Sequence, residues 1–295
     1  MSNDLQAISR RMLSIRGTKH ITAAMKLVSA AKFRKAKLAY DASKGYLHYI
    51  RSTIASIIYH EQNQGIVTSY ERTTDSIERI CYILITGNRG LCGGFNKNLI
   101  HLLEKEMDDD PGRKEIIAIG SKGYEHFNRR GAKITYKYLE PQEDMTVNDV
   151  RDIITPILER FEKGKIDEVK LIYTEFVNGI KQEVRCERML PFDLEAAMKE
   201  EHVPVTFEYS HEVEYDPSAV EVLHYLIPKY MEISLHGSII ESRTCEEAAR
   251  RNSMESATNN AEDILKELSL YYNRARQEAI TNELIEVVAG SEASI

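Results

Sequence analysis

Proline placement constrains this chain more than any motif. All seven prolines lie between Pro111 and Pro228, so the residues before Pro111 and the sixty-seven after Pro228 contain nothing that forbids a helix interior. Beyond Pro228 only Gly237 and Gly290 interrupt a helix-favouring run. Two long helical ends around a compact middle suit a molecule that spans or transmits better than one that encloses a substrate.

Periodicity gives those ends a packing face. Leu5, Ile8, Met12, Ile15, Thr22, Met25, Val28 and Ala31 recur at steps of mostly three, four or seven, as in the seam of a helix packed on another. Gly17 and Thr18 are its weak point. The other face carries Arg10, Arg11, Arg16, Lys26, Lys32, Arg34, Lys35 and Lys37, either a solvated surface or a platform for an acidic partner or nucleic acid. Near the C-terminus Ala257, Ala261, Ile264, Leu268, Tyr271, Ala275 and Glu278 step by three or four, with Leu223, Leu226, Tyr230 and Ile233 upstream. Such an Ala-rich seam, broken by polar residues, allows close approach without a strong zipper. Residues 1–40 hold nine Lys or Arg against one acid, whereas Pro217 onward holds thirteen acids against seven bases. Charge can therefore select the pairing of the two ends, although each exposed pair contributes only about 0–1 kcal/mol.

The middle has a different rhythm. Strand patterns over Ile80–Thr86, Ile116–Ile119, Lys133–Tyr138 and Val169–Phe176 alternate with helical stretches over Lys97–Met107, Ser121–Arg130 and Val147–Glu162. This order predicts a largely parallel, doubly wound sheet, with edge strands available at Val184–Met189 and Val205–Glu208. The fold class is therefore α/β, with terminal helices over about 1–60 and 215–295 flanking a domain over about 75–210.

Chemistry is harder to find. Cys81, Cys92, Cys186 and Cys245 form no CxxC pair, which argues for reduced thiols rather than disulfides or zinc. The histidines make no HxxxH or HExxH, and no GxSxG or paired-carboxylate signature stands out. Gly87–Asn96, G-N-R-G-L-C-G-G-F-N, sits between strand and helix but lacks GK[ST] and GxGxxG. Its glycines fit positive φ or close packing better than a phosphate, and Arg89 is its best functional candidate. No stretch reaches the roughly 18 apolar residues of a membrane span, and no signal-peptide block opens the chain, so a cytoplasmic protein is expected. Two other classes compete: a nucleotide-dependent enzyme using the middle, and a coiled coil binding nucleic acid through its basic end, with salt-sensitive affinity.

Three stretches together carry a resemblance: S-I-R-G-T-K-H-I-T-A-A-M-K-L-V-S-A-A-K over Ser14–Lys32, the glycine loop, and E-E-A-A-R over Glu246–Arg250 continued by Y-N-R-A-R-Q-E-A-I-T-N-E-L-I-E-V-V-A-G over Tyr272–Gly290. In this order, across essentially the whole chain, they resemble the gamma subunit of F-type ATP synthases, the central rotor shaft. The resemblance implies an antiparallel coiled coil of the two ends inside a ring of alternating alpha and beta subunits. It also implies a Rossmann-like middle, without nucleotide or other cofactor, near the epsilon subunit and the membrane rotor ring of c subunits. Such a protein is non-catalytic itself, binds no nucleic acid, and sits peripherally, without membrane insertion, on the cytoplasmic face of the bacterial inner membrane. By resemblance Arg276 and Gln277 hydrogen-bond a beta-subunit loop, while Met25, Lys26 and Arg250 face the acidic lever segment of beta, with Arg89 nearby. Ile285–Ala289, including Val288, sits in an apolar sleeve. Ala23, Lys26 and Asn260 depart from residues common in bacterial members.

Overall fold

The computed structural model describes residues 2–62, 70, 77–192 and 215–292. They fall into two compact units, Lys32–Ala249 and the pair of segments Met1–Ala31 and Arg250–Ile295. Helices α1 (Ser2–Gln62) and α5 (Ala219–Glu292) contribute to both.

The larger unit is built on five strands: β1 (Arg79–Ile85), β2 (Arg113–Ile119), β3 (Ile134–Tyr138), β4 (Glu168–Phe176) and β5 (Gln182–Leu190). Their order is β3-β2-β1-β4-β5. The first four run parallel and β5 is an antiparallel edge. Ile80, Tyr82 and Leu84 of β1 enter a core shared with α2 (Phe95–Asp109) and α3 (Ser121–Arg129). Cys81, Ile83 and Ile85 enter the opposite core, with α4 (Val147–Glu162) and parts of α1 and α5 such as Ile54, Leu223 and Ile227. Burial on both faces explains why β1 reads as a continuous apolar run instead of an alternating one. The start of α4 is fixed by a capping box: Asp149 N–H donates to Thr146 Oγ1 at 3.3 Å, and Thr146 N–H donates to Asp149 Oδ2 at 2.7 Å, an arrangement that contributes about 1 kcal/mol. The strands and helices expected for the middle are present, with ends shifted by a few residues. Val205–Glu208 lies outside the described residues.

The smaller unit is a helix pair. Lys19 Nζ meets Glu262 Oε2 at 3.2 Å, Thr258 Oγ1 donates to Thr22 Oγ1 at 2.8 Å, and Lys26 Nζ meets Glu255 Oε1 at 2.8 Å. Partners descend one helix as they ascend the other, so the pair is antiparallel and its register is fixed. Burial along α1 follows Leu5, Ile8, Met12, Ile15, Lys19, Thr22, Lys26 and Ser29, alternating steps of three and four as a heptad requires. Along α5 it follows Met254, Ala261, Leu265, Leu268, Tyr272, Ala275 and Ala279.

These seams correct the expected ones. Val28 is 58% exposed and Ala31 is exposed, while Lys26, expected on the opposite face, lies at the seam. In α5, Leu265, Tyr272 and Ala279 replace Ile264, Tyr271 and Glu278. In α1 the physical cause is a polar stretch of seam, where Lys26 and Ser29 take positions that apolar spacing assigns to their neighbours; in α5 each seam residue has a neighbour that fits the same spacing, so the pattern does not choose between them. Gly17 and Thr18 do not interrupt α1, and Thr18 Oγ1 donates back to Ser14 O at 3.2 Å.

Candidate functional site

In an open parallel sheet, ligands bind beyond the carboxyl ends of the strands where the strand order reverses, here between β1 and β4. The chain itself fills that crevice. A Cβ on Gly87, the residue that opens the glycine loop, would lie 2.6 Å from Glu246 Oε1 of α5, so glycine at 87 is what lets this carboxylate approach the backbone. Gly87 N–H donates to Asn96 Oδ1 at 2.8 Å, and Ser121 N–H, at the start of α3, donates to Asn88 Oδ1 at 2.7 Å. Gly123 N–H donates to Thr86 Oγ1 at 2.9 Å. At the end of β4, Thr174 N–H donates to Ser242 Oγ and Phe176 N–H to Glu241 Oε1, at 3.1 and 2.9 Å. The donors that a phosphate would use are thus held by Asn, Thr, Ser and Glu side chains. Sequence reasoning missed Glu246 in this role; the small residue at 87 is a signal only once the partner helix is known.

The same loop exposes Arg89. Its carbonyl accepts from Asn96 Nδ2 at 3.2 Å, and Leu91 and Gly93 take φ of 62° and 58° to close the turn. Glu143, which sequence reasoning also missed, meets Lys32 at 3.2 Å and Arg243 at 2.8 Å. Burial works to raise the Glu143 carboxyl, but Lys32, Arg243 and Arg89 outweigh it and hold it below the usual carboxylate range. The arrangement is a cationic surface around one carboxylate, suited to an acidic partner.

In the helix pair the remaining candidates fall into separate groups. Met25 and Lys26 are half-buried, and Arg250 is buried at 6% exposure. The Lys26 hydrogen bond holds the Glu255 carboxyl below its usual range. Arg276 and Gln277 are exposed on α5, about 40 Å along the helix from Arg250 at ~1.5 Å per residue. The register sets Ala279 level with the start of α1, so α5 continues past that point with Ile280, Leu284, Ile285 and Val287 45–66% exposed. Val288 belongs to the same helix, but its side chain lies outside the described residues. Among the described residues no group of three His, Cys, Asp or Glu is placed to hold a metal ion.

A family model described as ATP synthase matches residues 4–293. The ATP synthase gamma chain of Alkaliphilus metalliredigens is 39% identical over 300 residues, covering 99% of both chains. The chain belongs to the ATP synthase gamma family. A sodium ion specific ATP synthase gamma chain from Acetobacterium woodii is 34% identical, again over 99% of each. Among solved structures, the rotor of the Euglena gracilis mitochondrial ATP synthase matches with a TM-score of 0.67 at 17% identity, covering 95% of this chain and 100% of that one. A chain from the OSCP/F1/c-ring structure of the same enzyme gives 0.68 at 17%, covering 99% and 95%. The doubly wound sheet with long terminal helices is therefore the gamma fold, and the chain is a component of an ATP synthase. Among the described residues no helix is long and apolar enough to cross a membrane.

Proposed function

We propose that this chain is the rotating shaft of an F-type ATP synthase: non-catalytic itself, seated in the hexamer of alpha and beta subunits, and joined through its α/β unit to the epsilon subunit and the ring of c subunits. It works at the cytoplasmic face of the bacterial inner membrane, attached peripherally. The observation that carries this is the helix pair, whose inner seam is partly polar while Leu13, Ile21, Leu27, Leu270 and Tyr271 are 59–69% exposed. Apolar side chains left outside a helix pair suit a surrounding protein wall.

Coupling follows from shape. A two-helix shaft has unequal faces, so turning it in a three-fold ring presents each catalytic site with different contacts and biases each towards a different conformation. Arg276 and Gln277, exposed on α5, supply a guanidinium fork and an amide for a beta-subunit loop. Met25, Lys26 and Arg89 face its acidic lever segment, whereas Arg250, buried at 6% exposure, is not offered to it; Ile285 and Val288 sit in the apolar sleeve. The test is Arg276→Ala with Gln277→Ala in the assembled complex, measuring ATP turnover and proton pumping. Both should fall several-fold; unchanged turnover and pumping would remove the two residues from the mechanism. Gentle solubilisation of a tagged chain should recover alpha, beta and c subunits with ATPase activity. Recovery of the chain alone, with saturable nucleotide binding, would favour an enzyme instead.

A further inference from the structure

Opposite the filled crevice, at the amino ends of the strands, the α/β unit has a groove of about 540 Å³ lined by Arg79, Arg113, Lys114, Glu115, Lys133, Arg160, Lys165 and two isoleucines. The sheet itself gathers the cations. Arg79 and Arg113 are register partners at the starts of β1 and β2, and Lys133, just before β3, accepts from Ile116 N–H through its carbonyl. Arg160 comes from the last turn of α4, and Lys165, three residues beyond its end, donates its N–H to Arg160 O at 2.7 Å. Two buried carboxylates set part of this array in place. Glu115 holds Arg160 at 2.6 Å and Lys133 at 3.1 Å, and Asp167 holds Arg79 at 2.8 Å. Glu78 also acts on Arg79 and Asp110 on Lys114, so six cations against four carboxylates leave a net charge of about +2 at neutral pH. Arg113 and Lys165 have no side-chain hydrogen bond or ion pair among the described residues.

We propose that this groove binds an anion carrying two or more phosphate groups. A concave surface lined by one sign of charge focuses its field and concentrates counter-ions, and arginine forks match phosphate oxygens in pairs. No aromatic side chain lines the groove, so recognition rests on the phosphates and not on a base. The volume falls in the range of small-ligand sites, roughly 300–1,000 Å³. A free polyphosphate and an anionic lipid headgroup share this chemistry, and neither depends on the shaft function above.

Pyrophosphate titrated into the chain by calorimetry distinguishes them, alongside flotation with vesicles of phosphatidylcholine containing cardiolipin, whose headgroup carries two phosphates. The binding variant is Arg113→Ala with Lys165→Ala, both exposed, so folding should survive; an unchanged melting curve checks this. The control is Lys181→Ala with Lys266→Ala, the same charge change elsewhere. Saturable pyrophosphate binding, weakened at least tenfold in the groove variant and not in the control, supports a free ligand. Vesicle binding lost only in the groove variant, with a flat pyrophosphate titration, supports a headgroup. The proposal is overturned if neither probe binds, or if the groove and control variants weaken binding equally.

Discussion

In the α/β unit every side chain of β1 from Cys81 to Ile85 is fully buried, whereas in the helix pair Leu13 and Leu27 are 69% exposed. The pair buries Thr22 and Ser29 instead, at 8% and 2%. The α/β unit is held by its own apolar core, which supplies the dominant favourable term in folding. The pair is joined by a seam containing two exposed Lys–Glu contacts, each contributing about 0–1 kcal/mol, and turns much of its apolar surface outward. One unit closes over an apolar core, while the other leaves large apolar side chains outside its seam.

The largest expected effect tests the first half of that contrast. Leu103 is fully buried against β1, so Leu103→Ala should lower unfolding stability by about 2–5 kcal/mol in a denaturant melt. Gly120→Ala should do comparable damage, because φ is 99° and a Cβ would lie 1.8 Å from Thr86 O. A loss below about 1 kcal/mol in both variants would mean that the core does not hold this unit.

Acid should separate the units next. Burial works to raise the carboxyls of Asp167 and Glu115, but Arg79, and Arg160 with Lys133, hold both below their usual range. A carboxylate whose folded pKa is depressed contributes stability that is present above the unfolded value, about 4, and is lost as pH falls through the folded one. Melting temperature should therefore drop as pH falls below about 4, and Asp167→Asn should flatten that limb. Glu255 is also depressed, but its side chain is 49% exposed, so Glu255→Gln should change the limb much less. Equal flattening by both variants would break the contrast.

The α/β unit was the more legible of the two in the sequence. Its strands bury both faces, so apolar runs between glycine turns mark them, and α4 matched from Val147 to Glu162. The helix pair was legible as helix and as family, but not as register. Apolar spacing selects Val28, Ala31 and Tyr271, whereas the seam passes through Lys26, Ser29 and Tyr272. The sequence alone does not distinguish an apolar residue that faces the partner helix from one that faces outward. The crevice was illegible for a related reason: Gly87 and Glu246 are distant in sequence, and only the fold brings them together.

A smaller effect probes the seam. A double-mutant cycle on Lys26→Ala and Glu255→Ala should give a coupling below about 1 kcal/mol, since half-exposed ion pairs rarely exceed it. A coupling of several kcal/mol would show the pair held by its charges, and the seam would then count as a core.

The smallest effect on stability is expected where the contrast is sharpest. Leu27→Ser with Val28→Ser changes two residues that are 69% and 58% exposed, and surface substitutions of this kind usually fall within about ±0.5 kcal/mol. The chain should therefore unfold almost as before. Recovery of alpha and beta subunits on the tagged variant should nonetheless fall, because the apolar area that those residues offer to a surrounding wall is gone. Lost stability with recovery unchanged would place Leu27 and Val28 inside the helix pair, and the pair would then be as self-sufficient as the sheet.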